Sequence, residues 1–587
     1  MLRARILGQL RRYDEAKLAF DSLPPSAHGD PKVLLVHGQV LLDGVESKRA
    51  ELPPTPDGKL PPQLNAMVDE AVSVLGEAQS RDAAAFEVVR RALYLLGRAA
   101  ELRGDQSQAM RLYSDTYEQF GETPEGLAAR LAAADILLSR GDDDAAIILY
   151  RQVLQGDIDP ATYRNDVLPL EQLRRRIMAA VDNFVQRGKF DQAVVLLDRF
   201  LPLFTRTQEL ALRGQMFRDW GERQLRNSQG DSLEEKTTRR AGLRRLREAG
   251  MAFERLSALR YATTYYPDDL WESAECFFRG QSYSNAARVL DLYLQNEPEN
   301  RNAQALLMLG QANLALGRLD QCIAAMEECI ELHSRDNATY QARIDCARAY
   351  LYQGNPNEAE RLLRYNLTQS SLKPQSPEWK DSLFALGRLM FDLERNEDAI
   401  GTLEEAAERY PTDRQTLQAR YLIGEASRRW AAEPLERLRI ARTASEREKN
   451  QQLVDERLTQ ALTNFKDVQS RITLQVHNVQ DDPNYGAMRR NCYMLEGSVL
   501  FDLGRYQQAI EAYQNVSSLY PNEPFVLETF LQIAHCWQRM SRPENARGAV
   551  EQARLTLDQL SSEADFLATT AFTRDEWHLL LNDMSKW

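Results

Sequence analysis

The residues of this chain that could do chemistry begin with its six cysteines, three of which, Cys322, Cys329 and Cys346, lie near one another in sequence. A metal or redox cluster would use them as thiolates. However, no C-x-x-C pair occurs, and no histidine follows them at the spacing of zinc ligands. His535 precedes Cys536, but adjacent residues on a helix point in different directions. We therefore interpret the cysteines as small buried residues and expect no metal site and no disulfide framework.

A run of three aspartates, Asp142 to Asp144, is a second candidate for chemistry because clustered carboxylates can bind a cation. It lies directly before a helical pattern, where carboxylates cap free N–H groups and face the positive end of the helix dipole. A calcium loop would need a longer pattern of ligands. The sequence also has no glycine-rich phosphate loop and no G-x-S-x-G motif. We therefore predict helix capping here, and a non-enzymatic protein with no catalytic residue and no cofactor.

Positive charge is concentrated in a basic run between Lys236 and Arg247. The run contains Lys236, Arg239, Arg240, Arg244, Arg245 and Arg247. Such a helix could bind an acidic partner or nucleic acid, and a regulator that binds nucleic acid is one alternative function. Glu234, Glu235 and Glu248 flank the run, which favours a solvated helix face. With 73 basic and 86 acidic residues, the chain has a net charge of −13, which argues against a dedicated nucleic-acid surface.

Helices must position these groups, and the sequence pattern of a helix pair is clearest between Tyr493 and Pro521. Small or apolar residues fall there at helical spacing: Gly497, Leu500, Ala509, Tyr513 and Val516. A glycine turn at Gly504 divides the stretch, so two amphipathic helices fold back on each other. Neither helix can bury its apolar stripe alone. The pattern therefore predicts further copies along the chain.

The same spacing recurs along the chain. Each copy starts at a small residue, which we call the anchor. A turn follows seven residues after the anchor, a second small residue twelve after it and a large apolar residue sixteen after it. From the anchor Gly97, the pattern reaches Gly104, Ala109 and Tyr113. The other anchors are Gly38, Ala134, Val181, Gly214, Ala274, Gly310, Ala347, Gly387, Gly424, Gly497 and Ala534. Small residues let the two helices of a pair approach closely, and a glycine at the turn adopts positive φ at little cost.

This pattern resembles the tetratricopeptide repeat family. In that family each unit has about 34 residues and consists of two antiparallel helices. The resemblance extends over essentially the whole chain. It implies an all-α fold, a right-handed α-solenoid superhelix of about thirteen helix pairs. We divide the chain into N-terminal repeats at 1–205, with an incomplete first repeat, central repeats at 206–415, C-terminal repeats at 416–565 and a capping helix at 566–587.

Three units depart from the spacing because residues are inserted between their two helices. The insert at 44–62 contains LPPTPDGKLPP, and we predict an extended loop because clustered prolines exclude helix. The inserts at 227–242 and 431–456 are charged and rich in helix formers, so we predict that they lengthen the flanking helices. Trp220 and Trp430 precede these two inserts at the same distance from their anchors. This order suggests a duplicated block of repeats.

In the family that the chain resembles, first helices line a concave face, and some members clamp a peptide carboxylate there with asparagines and lysines. The position after each anchor holds no asparagine in this chain, so we expect no such clamp. It does hold Arg348 and Arg388 in successive units, where they could pair with an acidic segment. We predict a scaffold that binds a protein partner on this face. The candidate contacts are Arg348 and Arg388 first, and Lys236, Arg239, Arg240 and Arg244 second.

Three units end in Tyr-Pro, at Tyr266-Pro267, Tyr410-Pro411 and Tyr520-Pro521. This ending resembles repeat proteins of the bacterial cell envelope that serve outer-membrane assembly or the Tol-Pal system, and an envelope assembly factor is a further alternative. The N-terminus lacks the features of a secretory signal and matches the second part of a repeat, so we expect Met1 to lie within a first helix. The sequence as given indicates the cytoplasm, and an upstream signal would indicate the periplasm or cell envelope. No apolar run reaches the roughly 20 residues that a membrane-spanning helix needs.

Overall fold

The computed structural model describes residues 2–10, 12–24, 27–51, 60–81, 85–155, 158–228, 230, 232–296, 302–474, 483–561 and 563–584. All regular secondary structure in these residues is α-helical, which confirms the predicted all-α class. The chain divides into two compact units, Met1–Ser282 and Tyr283–Trp587, and each is described by itself. The division into three blocks of repeats stays a prediction.

The first unit has thirteen helices among its described residues. They are α1 (Leu2–Gln9), α2 (Tyr13–Asp21), α3 (Pro31–Glu51), α4 (Pro62–Ser80), α5 (Phe86–Leu102), α6 (Gln106–Gln119), α7 (Pro124–Arg140), α8 (Asp143–Leu154), α9 (Leu170–Gln186), α10 (Phe190–Leu197), α11 (Arg206–Arg226), α12 (Leu233–Leu259) and α13 (Tyr266–Arg279).

The second unit has fourteen helices among its described residues. They are α14 (Tyr283–Asn296), α15 (Asn302–Ala315), α16 (Leu319–Leu332), α17 (Ala338–Tyr352), α18 (Pro356–Thr368), α19 (Pro377–Asp392), α20 (Asn396–Arg409), α21 (Gln415–Ile440), α22 (Ala444–Leu474), α23 (Pro483–Asp502), α24 (Tyr506–Leu519), α25 (Val526–Arg539), α26 (Pro543–Gln559) and α27 (Arg574–Met584).

Packing in both units follows the chain. Within each unit, most helices contact mainly the helices that come before and after them in sequence. The first helix of a pair also contacts the first helix of the next pair, as α3, α5 and α7 do in the first unit and α15, α17, α19 and α21 do in the second. Each unit is therefore a solenoid of stacked helix pairs, in which a pair buries its apolar stripe against its neighbours.

The anchor residues lie where the two helices of a pair approach most closely. A Cβ atom added at Gly97 would lie 2.7 Å from the ring of Tyr113, sixteen residues later, and one added at Gly310 would lie 2.5 Å from Met326. In the long pair α11–α12, the same contact joins Gly214 to Phe253 at 2.8 Å. The predicted close approach is therefore confirmed, and in the interrupted units a later residue supplies the large side chain.

The turns inside the pairs have left-handed backbone where glycine was expected. Gly104 has a φ of 82° and Gly504 a φ of 70°. In the α19–α20 pair the same turn position is Glu394, which has a φ of 58° without the freedom of glycine. The backbone at Glu394 is consequently strained, whereas the glycine at the same turn position in other pairs adopts this φ at little cost.

The insert at 44–62 shows one correction. Its first eight residues are helical, because α3 continues to Glu51, and only residues 52–59 lie outside the described part of the chain. Val45 is fully buried, and a Cβ atom at Gly44 would lie 3.2 Å from the ring of Tyr13. Since the prolines begin only at Pro53, nothing before that residue interrupts the helix.

The two charged inserts are largely helical, except at their turns. Residues 233–242 extend α12, but residues 227–232 separate it from α11, because Ser232 and Glu235 form a capping box that starts a new helix. The other insert extends α21 to Ile440 and begins α22 at Ala444. Each insert therefore lies in a pair of long helices, and a short connection, which we call the tip, joins their far ends.

The last helix of the described residues is α27, and its role as a cap over the final repeat stays a prediction. The Thr573 backbone N–H donates to the Glu576 carboxylate at 2.7 Å, and this contact starts the helix. Trp577 is fully buried and its indole N–H donates to the Thr570 hydroxyl at 3.1 Å. Across the described residues, no helix is long and apolar enough to cross a membrane.

Candidate functional site

A groove of 730 Å³ crosses the first helices of three successive pairs in the second unit. Its lining comes mainly from α17, α19 and α21, and it includes both of the arginines that follow anchors, Arg348 and Arg388. The floor is apolar, with Ile344, Phe384 and Leu422 among its residues. The structure thus brings the two predicted arginines to one concave feature.

Arg348 is held by a carboxylate on its own helix. Its guanidinium lies 3.2 Å from Asp345, which is nearly buried and also accepts hydrogen bonds from Gln311 at 2.8 Å and Gln341 at 3.1 Å. The two glutamine contacts fix the Asp345 carboxylate, and Asp345 in turn holds one guanidinium nitrogen of Arg348. The Arg348 side chain nevertheless remains 53% exposed and lines the groove, so its guanidinium is accessible to a ligand there.

Arg388 is held more loosely. Its only acidic neighbour at ion-pair distance among the described residues is Asp392 on the same helix, 3.9 Å away, and its side chain is 61% exposed. Tyr352 also lines the groove and is 69% exposed. The groove therefore combines an exposed ring and two accessible guanidinium groups with an apolar floor, and aromatic and arginine side chains are enriched at protein interfaces in general.

In the first unit, arginines on first helices form ion pairs with the neighbouring first helix. Arg98, which also follows an anchor, pairs with Asp43 at 3.1 Å on the neighbouring first helix. Arg176 likewise pairs with Asp135 at 2.6 Å, from α9 to α7. These ion pairs bridge adjacent first helices and occupy the charges. In the groove of the second unit, by contrast, Arg348 pairs within its own helix and leaves the space between helices open.

The basic run lies on α12, where several of its groups serve the helix pair itself. Arg239 donates to the backbone oxygens of Ser228 at 2.8 Å and of Gly230 at 2.9 Å. Arg244 lies 3.5 Å from Glu248. Lys236 and Arg240 are exposed at the start of the helix. The run is not near the groove in sequence, and its role in binding stays a prediction.

All six cysteines are unpaired and buried, as expected for core residues. Burial raises the pKa of Cys322 and of Cys329 to about 11, so both thiols stay protonated near neutral pH. Asp142 caps α8, since its carboxylate accepts the Ala145 backbone N–H at 3.4 Å. Within the described residues, no group of three or more potential metal ligands comes together.

Sequence reasoning missed Tyr352, which lines the groove, and Asp345, which holds Arg348. Tyr352 lies at the end of α17, and Asp345 lies three residues before Arg348 on the same helix. The i, i+3 spacing of an aspartate and an arginine could have indicated the pair. Nothing in the sequence marks Tyr352, because the exposure of a residue at a helix end depends on tertiary packing.

These features define the class of the molecule as an all-α protein of stacked helix pairs. Two models of the tetratricopeptide repeat match it, one over residues 107–161 and 345–414 and the other over 303–334 and 491–523. The chain therefore contains tetratricopeptide repeats in both compact units, and one matched segment includes Arg348 and Arg388. Such repeats are typically non-enzymatic modules for protein–protein interaction, so the chain is an interaction scaffold in this broad sense.

Several solved structures are similar at low identity. A tetratricopeptide repeat protein from Parabacteroides merdae is 12% identical, covers 55% of this chain and 99% of its own, and has a TM-score of 0.30. The APC/C hetero-tetramer Cut9–Hcn1 is 11% identical over 96% of this chain and 98% of its own, with a TM-score of 0.27. Yeast Tom70 is 11% identical over 88% of this chain and 96% of its own, with a TM-score of 0.28. No curated protein matches the chain in sequence. The evidence for tetratricopeptide repeats in this chain is the four matched segments, and these structural likenesses add no argument.

Proposed function

We propose that the chain is a non-enzymatic scaffold that holds a carboxylate-bearing segment of another protein in the groove of α17, α19 and α21. The observation that carries this proposal is the arrangement of Arg348 and Arg388, more than half exposed, above an apolar floor in a preformed groove. Because the helices are already fixed by their neighbours, binding costs the groove little conformational entropy.

The chemistry of the groove favours a segment with both acidic and apolar side chains. An acidic side chain or a terminal carboxylate can accept two parallel hydrogen bonds from a guanidinium. Apolar side chains of the same segment can then pack on Phe384 and Leu422. The groove also contains Asp381 and Asp392, which disfavour a purely acidic segment. We therefore expect one or two acidic residues flanked by apolar ones.

The test is affinity capture from the native cell with the wild-type chain and an R348Q/R388Q variant in parallel, followed by titration of the purified partner. Loss of two charge-assisted contacts should weaken binding at least about tenfold. The matched control is R361Q/R364Q on α18, since Arg361 and Arg364 are 60% and 50% exposed and each lies 2.7 Å from a glutamate on its own helix.

The control variant should retain the partner with wild-type affinity. If R348Q/R388Q keeps the same partners at the same affinity, the groove is not the binding site. If both double variants lose the partner equally, a general change in surface charge explains the loss, and the proposed site is again rejected.

A further inference from the structure

A second cleft lies on another surface of the second unit, between α14 and α16. It has a volume of 660 Å³, and the end of α15 forms its floor through Leu309 and Asn313. Its walls carry small side chains, including Ala287, Ala324 and Ala325. The walls are second helices and the floor is a first helix, and the three first helices that line the groove of Arg348 and Arg388 do not contribute to this cleft.

Asn313 is the unusual residue of this cleft. Its side chain is 4% exposed, and its amide oxygen is buried with no hydrogen-bond partner among the described residues. A buried amide normally has its partners, as Asn366 does in the same unit: it bonds to Arg343, to the Tyr340 carbonyl and to Ser382. An unpaired amide oxygen in a packed helix destabilises the fold, so Asn313 is poorly explained by stability alone.

The repeat register shows what is missing at this position. The third residue after an anchor is large and apolar or aromatic in most other units: Leu41, Leu137, Phe184, Phe217, Phe277, Tyr350, Met390, Leu500 and Trp537. Phe184, Phe277 and Met390 are almost completely buried there. Ser427 is polar, but its hydroxyl donates to Gln460 at 3.1 Å. Asn313 thus leaves open a space that comparable units fill with a ring or a long side chain.

The surroundings suit an aromatic ring with a polar end. Arg318 lies at the cleft, and a guanidinium over a ring is a contact that this chain uses repeatedly. Arg245 lies 3.8 Å from the ring centre of Trp220, and Arg343 lies 4.4 Å from that of Tyr365. A half-turn of the Asn313 amide exchanges its N–H and C=O groups, so either can face the cleft.

We propose that this cleft is a docking site for a tyrosine side chain of a protein partner. The tyrosine ring would fill the space between Ala287 and Ala325, and its hydroxyl, which both donates and accepts, would satisfy the Asn313 amide. A phenylalanine would fill the same space but leave the amide unpaired. The site is independent of the groove on the first helices, so either proposal can fail without the other.

The test titrates the full chain with N-acetyl-tyrosinamide and N-acetyl-phenylalaninamide, followed by the NMR shifts of the probes. The tyrosine probe should bind at least about tenfold more tightly, because a site with an unpaired polar group discriminates against a ligand that lacks the hydroxyl. The R348Q/R388Q variant should bind it as the wild type does. Equal affinity for the two probes, or no binding of either, would overturn the proposal and leave a cleft filled by water.

A substitution separates this role from a structural one. Asn313→Leu should abolish binding of the tyrosine probe and raise the Tm by about 2–4 °C, because it removes a buried unpaired amide. The matched control is Asn366→Leu, which should lower the Tm because its amide is fully bonded. If Asn313→Leu also lowers the Tm, Asn313 is a structural residue and the docking site is rejected.

Discussion

Gly97 and the ring of Tyr113 are in contact so close that a single methyl group does not fit between them. A Cβ atom at position 97 would lie 2.7 Å from two ring carbons. The ring cannot move away easily, because Tyr113 is fully buried and its hydroxyl donates to Glu101 at 2.6 Å. This contact sets the distance between α5 and α6.

Gly97→Ala should therefore destabilise the chain by about 1–3 kcal/mol, since overpacking forces side chains or helices apart. The measurement is the urea midpoint of unfolding by circular dichroism. Gly76→Ala in α4 is the matched control: a Cβ atom there meets nothing within 4 Å, so the change should stabilise by up to about 1 kcal/mol. Equal effects at the two positions would show that close approach is not the reason for the glycine.

The cysteines should be unreactive in the folded chain. Burial raises the pKa of Cys322, Cys329 and Cys536 to about 11, and that of Cys276 and Cys346 to about 12. At pH 8 the thiolate fraction is consequently more than about a hundredfold below that of a free cysteine. A disulfide exchange reagent should label these thiols rapidly only after unfolding in urea. Fast labelling of the folded chain would contradict the buried interpretation.

The same thiols predict a loss of stability in alkali. Their pKa values are higher in the folded than in the unfolded chain, so folding retains protons that the unfolded chain releases. The contribution of these thiols to the free energy of unfolding is thus fully present below about pH 8.5. It falls as the pH rises towards 11, by up to about 1.4 kcal/mol per pH unit for each thiol. Urea midpoints between pH 7 and 10 measure it. Cys276→Ala should make the decline shallower, and an unchanged slope would exclude Cys276 as a contributor.

The two long helix pairs share an arginine packed on a tryptophan. Arg457 lies 3.6 Å from the ring centre of Trp430 and donates to its backbone oxygen at 2.6 Å, while Arg245 lies 3.8 Å from the ring of Trp220. R457Q and R245Q should each destabilise their pair by about 1–2 kcal/mol, measured by urea unfolding. R439Q is the control, because Arg439 is 67% exposed, and it should change little. If R457Q behaves like R439Q, the ring contact contributes nothing.

The helix pairs could be predicted from the sequence because their signal is local and repeated. The contact of Gly97 with Tyr113 follows from a sixteen-residue spacing, and Gly104 marks the turn by its left-handed backbone. The extent of α3 could not be predicted in the same way. Whether residues 44–51 remain helical depends on the burial of Val45, which is a tertiary contact.

The candidate sites were only partly predictable. Arg348 and Arg388 stood out because repeats align them, and the structure places both at one groove. Asn313 did not stand out, because an asparagine within a helical pattern has no distinctive spacing. Its unpaired amide and the small residues around it become visible only when α14, α15 and α16 are packed together.

The tip between α21 and α22 has a practical consequence. Gly424 and Phe465 make the same contact as Gly97 and Tyr113, although about forty residues separate them. The pair thus tolerates a long insertion between its two helices, provided that Gly424 and Phe465 still come into contact. Residues 441–443 are therefore a permissive insertion point, where a fluorescent domain or an affinity tag can be grafted without changing the repeat that carries it.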